Sequence, residues 1–259
     1  MDKVKLIGIN WDKKSSFLQG TAHAPDAIRK VFHNGASNYH AEDGTYVGPD
    51  VITDLGNIIC NDYIQIYSEF LDILKSNGSK IVTLGGDHSI TYPVVKALSN
   101  VYGGFHMLHI DAHADLYHEF EGDRHSHACP MARIMEEGLV LTMTQIGIRT
   151  LNDHQKDQAK KYNVNIIEMK DWYKQKPKLQ GPLYITLDMD AFDPGFVPGV
   201  SHHEPGGFSP RQVIQLIQDI DVPVLGADIV EYNPSRDIHD MTAALSAKLF
   251  KEIASKIIS

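Results

Sequence analysis

Three short segments of the chain concentrate side chains able to hold a divalent cation: Gly85-Gly86-Asp87-His88-Ser89, Asp111-Ala112-His113-Ala114-Asp115 and Asp188-Met189-Asp190. Each follows directly on an apolar, β-rich run, namely Lys80 to Leu84, Gly104 to Ile110 and Leu183 to Leu187, and a fourth run, Leu225 to Val230, ends in Glu231. Side chains alternate along extended backbone, so Asp111, His113 and Asp115 are expected on one side, and Asp188 with Asp190 likewise. Six potential ligands, His88, Asp111, His113, Asp115, Asp188 and Asp190, then converge on one edge of a sheet. Four carboxylates packed there without a cation would repel one another and take up protons. Two divalent ions offset the four charges. Carboxylates with two imidazoles and no thiolate form a hard, oxygen-rich set that suits Mn²⁺ better than Zn²⁺. Two ions about 3.5 to 4 Å apart can share one water, lower its pKa toward neutrality and aim it at an electrophilic carbon. The expected chemistry is metal-assisted hydrolysis. A lone Asp-x-Asp after a strand is usually a loop or a cap, and it is the coincidence of three such segments at strand ends that points to metal.

The elements that must position these residues alternate along the chain. Strands are expected at Val4 to Ile9, Val51 to Thr53, Lys80 to Leu84, Gly104 to Ile110, Thr144 to Ile148, Val164 to Ile167, Leu183 to Leu187 and Val222 to Val230. Several are apolar on both faces, as strands covered by helices must be. Between them, Tyr63, Ile66, Tyr67, Phe70, Leu71 and Leu74 follow a helical period from Asp62 to a stop at Asn77-Gly78. Ser209-Pro210 caps a helix carrying Val213, Ile214, Ile217 and Ile220, and a long final helix runs from Ile238 through Ile257. This is an α/β pattern: a three-layer α/β/α sandwich around a mainly parallel central sheet, in one domain over residues 1–259. Ligands in such folds bind where strands deliver their carboxyl ends.

Composition narrows the partners. The 259 residues carry a net charge of -9, from 33 acids against 24 bases, which argues against a nucleic-acid surface. MDKVKLIGIN lacks the apolar core of a signal peptide, no run is long and apolar enough for a membrane span, and the two cysteines, Cys60 and Cys129, have no CxxC spacing. A cytoplasmic protein without membrane or nucleic-acid partners is expected. Asn77-Gly78-Ser79 fits a glycosylation pattern that is common by chance. Histidine is in excess: seven of 14 fall between His88 and His127. His118 and His125 are expected in a solvent-exposed loop. His109 fits either a hydrogen bond to a ligand carboxylate or a satisfied core position. Cys129 beside His127 could be read as a nucleophile pair, but a metal-activated water makes a thiolate unnecessary.

GGDHS at 85–89, DAHAD at 111–115 and LDMDAFDPGFVPG at 187–199 resemble the three signatures of the manganese-dependent ureohydrolases, the family of arginase, agmatinase, guanidinobutyrase and formimidoylglutamase. Gly20, Pro25, Ile28, Arg29 and the segment Asp228 to Pro234 extend the resemblance across nearly the whole chain. The resemblance implies two Mn²⁺ per chain. One would be held by His88, Asp111, Asp115 and Asp188, the other by Asp111, His113, Asp188 and Asp190, with Asp111 and Asp188 bridging. It also implies that His127 shuttles protons, that Asp115 helps pass one to the leaving nitrogen, and that Glu231 pairs with a guanidinium, so that urea and an amine are released. A homo-oligomer, trimeric or hexameric, would follow as well.

Tyr117 stands where arginases usually have Asn, and the loop from His118 to Ser126 carries three acids against one Arg. Together these favour a cationic substrate tail such as that of agmatine, with arginase, guanidinobutyrase or formimidoylglutamase activity as the alternatives. Where relatives follow the shuttle histidine with Gly, this chain has Ala128-Cys129-Pro130, and after Pro198 it reads Gly199 to Gly207 with His202-His203-Glu204, either a surface turn or a reshaped pocket. A non-catalytic metal-binding homologue and a mononuclear zinc deacylase are the readings from other classes.

Overall fold

The computed structural model describes residues 4–78 and 80–259. Met1 to Lys3 of the N-terminal segment and Ser79 of the Asn77-Gly78-Ser79 pattern lie outside the described residues. Eight parallel strands form one sheet: β1 (Val4–Ile9), β2 (Ile52–Ile58), β3 (Ile81–Leu84), β4 (His106–Ile110), β5 (Met143–Ile148), β6 (Asn165–Glu168), β7 (Leu183–Asp188) and β8 (Val224–Val230). Their order is β2-β1-β3-β8-β7-β4-β5-β6. Among the described residues there are seven α-helices: α1 (Ala24–His33), α2 (Tyr63–Asn77), α3 (Thr91–Tyr102), α4 (Pro130–Glu136), α5 (Asp153–Tyr162), α6 (Pro210–Gln218) and α7 (Met241–Ile258).

The strands sort their side chains to two cores, as the pleat demands. Leu6 packs with Ile28, Phe32, Ile217, Phe250 and Ile253, the buried faces of α1, α6 and α7. Its neighbour Ile7 packs with Ile66, Phe70, Val94 and Leu98 of α2 and α3. Helices therefore cover both faces, and each fully buried Leu, Ile or Phe contributes roughly 1.5–3 kcal/mol. Local chemistry sets the helix ends. Asp62 and Gln65 form a reciprocal capping box at the start of α2, Ser209 and Gln212 form another ahead of α6, and Gly78 ends α2 at φ 75°.

Two expected bounds shift by more than two residues. β2 runs five residues beyond Thr53 because it pairs only with β1 at the sheet edge, where alternately exposed Asp54 and Gly56 are tolerated. The last helix starts at Met241 rather than Ile238. The Asp237 carboxylate accepts the N–H groups of Ile238, Thr242 and Ala243, and His239 and Asp240 adopt left-handed φ, leaving Ile238 and Met241 about half exposed.

Four adjacent strands matter most for the site. Leu84, Ile229, Leu187 and Ile110 lie side by side across β3, β8, β7 and β4. Chain emerging past that row at one carboxyl edge carries Gly85 to His88, Glu231, Asp188 and Asp111.

Candidate metal centre

The hydrolytic candidates meet there, through tight turns rather than extended backbone. β4 stops at Ile110, and His113 N–H folds back to Asp111 Oδ1 at 2.6 Å. Asp115 holds φ 50°. Past β7, Asp190 N–H closes on Asp188 Oδ1 at 2.7 Å in a 3₁₀ turn. The alternation expected for these residues therefore gives way to curled loops, because each leading Asp caps the backbone two residues on. Glu231 is also left-handed, at φ 63°, with its N–H on Gly86 O at 2.9 Å. Two candidate carboxylates thus sit on backbone that non-glycine residues avoid. Gly86 itself must be glycine: a Cβ there would lie 1.6 Å from Trp11 O.

His88 Nδ1 is buried without a satisfactory hydrogen bond. Around it stand Asp115 Oδ2 at 3.0 Å, Asp111 Oδ2 at 3.1 Å and Asp188 Oδ2 at 3.1 Å. Donor atoms sharing a first-row divalent ion are spaced in this way, about 3 Å from one another. His113 Nδ1 faces Asp190 Oδ2 at 2.9 Å and Asp111 Oδ1 at 3.5 Å. Asp111 thus turns one oxygen to each imidazole and is common to both clusters of potential metal donors.

Protein charge alone does not reconcile the cluster. Burial, reinforced by Asp190 and Asp111, pushes the Asp188 carboxyl well above the usual range, and burial with Asp111 nearby raises Asp190. Burial opposes charge on His88, but its three carboxylate neighbours outweigh that and raise it well above an ordinary histidine. Protons here take the place that cations would fill.

His109 belongs to this site as support. Gln145 Nε2 donates to its Nδ1 at 2.9 Å, leaving Nε2–H to donate to Asp111 Oδ2 at 2.7 Å. With that nitrogen engaged, Asp188 rather than His109 completes the set around His88. Thr186 and Asp228 hold His88 from behind: His88 Nε2 donates to Thr186 Oγ1 at 3.0 Å, and Thr186 donates to Asp228 Oδ1 at 2.5 Å. Tyr184 and Thr91 hydroxyls also donate to Asp228, which is fully buried. Sequence reasoning missed Thr186 and gave Asp228 no role. The available signal was a threonine alternating with Asp188 on β7, facing the same side of the strand. Asp87 is no metal donor. It caps the turn at His88 through Ser89 N–H and holds Lys14 N–H at 2.9 Å, anchoring the N-terminal loop.

That loop delivers Ser16. His127 Nδ1 lies 2.8 Å from Glu231 Oε1, while its Nε2 receives Ser16 N–H at 3.2 Å and lies 2.8 Å from Ser16 Oγ. Burial opposes charge on His127, but the facing Glu231 carboxylate outweighs it and pushes the ring up to about 9. Cys129 is no nucleophile: burial and Asp115 push its thiol up to about 12, and Sγ donates to Asp123 O.

A cavity of about 210 Å³ opens over Asp115, Asp188, Asp190, His127 and Glu231. Its outer wall includes Ser16, Tyr117, Phe120, Thr150, Gln155, His202 and Glu204. The segment after Pro198 thus lines the pocket through His202 and Glu204 rather than forming only a surface turn, while His203 is exposed. His202, whose pKa is lowered first by burial and then by His127, lies 5.3 Å from the His127 ring. The acids of the 118–126 loop do not line the cavity: Glu119 and Glu121 are exposed, and Asp123 pairs with Lys14 at 2.6 Å. Nor is that loop's histidine pair solvent-exposed. His125 is half-buried and stacks on Tyr92, and His118 is half-buried within 2.7 Å of Arg124, because the loop folds back on the helical layer.

Among the described residues, no helix is long and apolar enough to cross a membrane. The arginase-family model matches residues 2–255. Arginase 1, mitochondrial, of Arabidopsis thaliana is 40% identical over 97% of this chain and 80% of its own length. N(1)-aminopropylagmatine ureohydrolase of Thermus thermophilus is 34% identical over 93% of this chain and 87% of its own. The solved arginase from Medicago truncatula superposes with a TM-score of 0.91 at 37% identity, covering 98% of this chain and 87% of that one. The strand-end motifs, the shared sheet and these matches agree: the chain belongs to the arginase family.

Proposed function

We propose that the protein is a binuclear manganese hydrolase that cleaves the guanidino C–N bond of a guanidino amine, agmatinase-like, giving urea and an amine. The observation that carries the reading is Asp111, whose two oxygens face two separate imidazole-carboxylate groups on the floor of the cavity. His88, Asp111, Asp115 and Asp188 would hold one ion, and Asp111, His113, Asp188 and Asp190 the other. Bound there, the pair supplies an acidified water and charge stabilisation at the reacting carbon. Glu231 receives the guanidinium. Asp115, at the cavity floor, takes part in passing a proton to the leaving nitrogen, and His127, buried but in contact with the exposed Ser16, links that proton to solvent. The agmatine preference rests on a cavity whose wall, among the described residues, has no lysine or arginine to meet a carboxylate.

Arginine is the second reading, favoured by the 40% identity to an Arabidopsis arginase. Two unpaired cysteines fit a reducing, cytoplasmic setting, and a homo-oligomer is expected on the family pattern. The deciding experiment is product release by Mn²⁺-loaded protein from agmatine, arginine, guanidinobutyrate and formiminoglutamate. Urea from agmatine with kcat/KM about tenfold or more above arginine, a difference of about 1.4 kcal/mol, is expected. A preference for arginine, or formamide from formiminoglutamate, overturns the agmatine assignment.

A further inference from the structure

The cavity wall carries one carboxylate that the hydrolysis does not use. Glu204 is half-buried there, beside Gln155, Thr150 and Phe120. Among the described residues its carboxylate pairs with no lysine or arginine, and the one basic side chain within 4 Å is His113, with Nε2 3.8 Å from Oε1. His113 turns its other nitrogen to Asp190 and Asp111. Glu204 therefore stands across that imidazole from the metal donors.

The backbone beneath it is fixed. Arg149 donates to Glu204 O from Nε at 3.1 Å and from Nη2 at 2.5 Å, and the same guanidinium donates to Asp190 O at 2.8 Å and Ala191 O at 3.2 Å. One side chain thus ties Glu204 to the turn that carries a metal donor. Pro205 follows and favours extended backbone at Glu204. The Glu204 side chain is 38% exposed and lines the cavity, so its carboxylate is open to a cationic ligand there.

We propose that Glu204 is a specificity-determining residue that binds the ammonium group on the tail of the guanidino substrate, so that the enzyme selects alkylguanidines ending in an amine over those ending in a methyl group. The inference rests on guanidine hydrolysis at the Asp111 centre and names the group that reads the far end of the substrate. A merely structural Glu204 would orient His113 and affect every substrate alike. A charge-assisted contact, about twice as strong as a neutral one, acts only on substrates that carry the charge.

The test compares Mn²⁺-loaded wild type with Glu204→Gln on agmatine and on n-butylguanidine, which has the same four-carbon chain without the ammonium. The ratio of kcat/KM values, agmatine over butylguanidine, is expected to fall about tenfold in the variant, a change of about 1.4 kcal/mol. An unchanged ratio, whether both rates hold or fall together with manganese content, overturns the proposal. On wild type alone, 1,4-diaminobutane should inhibit about tenfold more strongly than 1-aminobutane, and equal inhibition overturns it too. Failure of the agmatine reading shows separately, as a wild-type preference for arginine. Arginine also bears an ammonium, so its own ratio to butylguanidine in Glu204→Gln still tests Glu204.

Discussion

His127 Nδ1 lies 2.8 Å from Glu231 Oε1, so the carboxylate proposed to receive a guanidinium is already engaged by the imidazole. A guanidinium bound at Glu231, as proposed, would share that carboxylate with the imidazole and weaken the main influence holding the ring protonated. On that reading, binding and proton release are coupled through one carboxylate.

In the substrate-free protein, then, His127 should stay protonated up to about pH 9. The sign follows from the raised value. The ion pair with Glu231 contributes its full stabilisation below the ordinary histidine pKa of about 6.5 and loses it as pH rises through about 9. A His127 NMR titration checks this, and Glu231→Gln should bring the midpoint back toward or below the ordinary value. A midpoint already ordinary in the wild type would contradict the coupling.

Ser16 meets the other ring nitrogen with both its N–H and its hydroxyl. The N–H can only donate, so once Nε2 carries a proton the hydroxyl is the partner able to accept it. Ser16→Ala removes one such hydrogen bond, worth about 0.5–1.5 kcal/mol, and should lower kcat roughly three- to tenfold while KM and manganese content hold. An unaltered kcat would leave Ser16 as a lining residue only.

Metal content should separate the two clusters. His113 and Asp190 face each other at 2.9 Å and lie on the side of Asp111 away from His88. His113→Ala and Asp190→Ala are expected to retain one manganese ion per chain after gel filtration, and Asp111→Asn to retain neither. Equal loss of both ions from all three variants would count against two distinct positions.

Behind the centre, Thr186 connects His88 Nε2 to the buried Asp228. Thr186→Val keeps the volume but strands the imidazole N–H, and loss of such a supporting contact typically weakens metal affinity about 10- to 100-fold. Manganese titration of the refolded apoprotein reads this directly. Affinity equal to wild type would show that packing alone orients His88.

Some of this architecture is written into local sequence. Leu6 and Ile7 announce a strand buried on both faces, Asp62 and Gln65 announce a helix start, and GGDHS, DAHAD and LDMD mark three strand ends by the abrupt change from apolar to ionisable residues. Periodicity and capping operate over a few residues, which is why they are legible without a fold. That β3, β8, β7 and β4 lie side by side was decided only by the crossovers, which bring His88, Asp111, Asp188 and Glu231 together from distant parts of the chain. The curl of residues 111–115 depended on hydrogen bonds that alternation does not encode. The acids of the 118–126 loop, which in sequence pointed to a cationic substrate, turned to solvent or to Lys14, while Glu204, in a segment that sequence left open between a surface turn and a pocket wall, reached the cavity because Arg149 fastens its backbone beside Asp190. Residue type and spacing determined which chemistry the protein could perform. Long-range packing alone decided which charges face the substrate, since a side chain's direction is set by the neighbours its loop folds against.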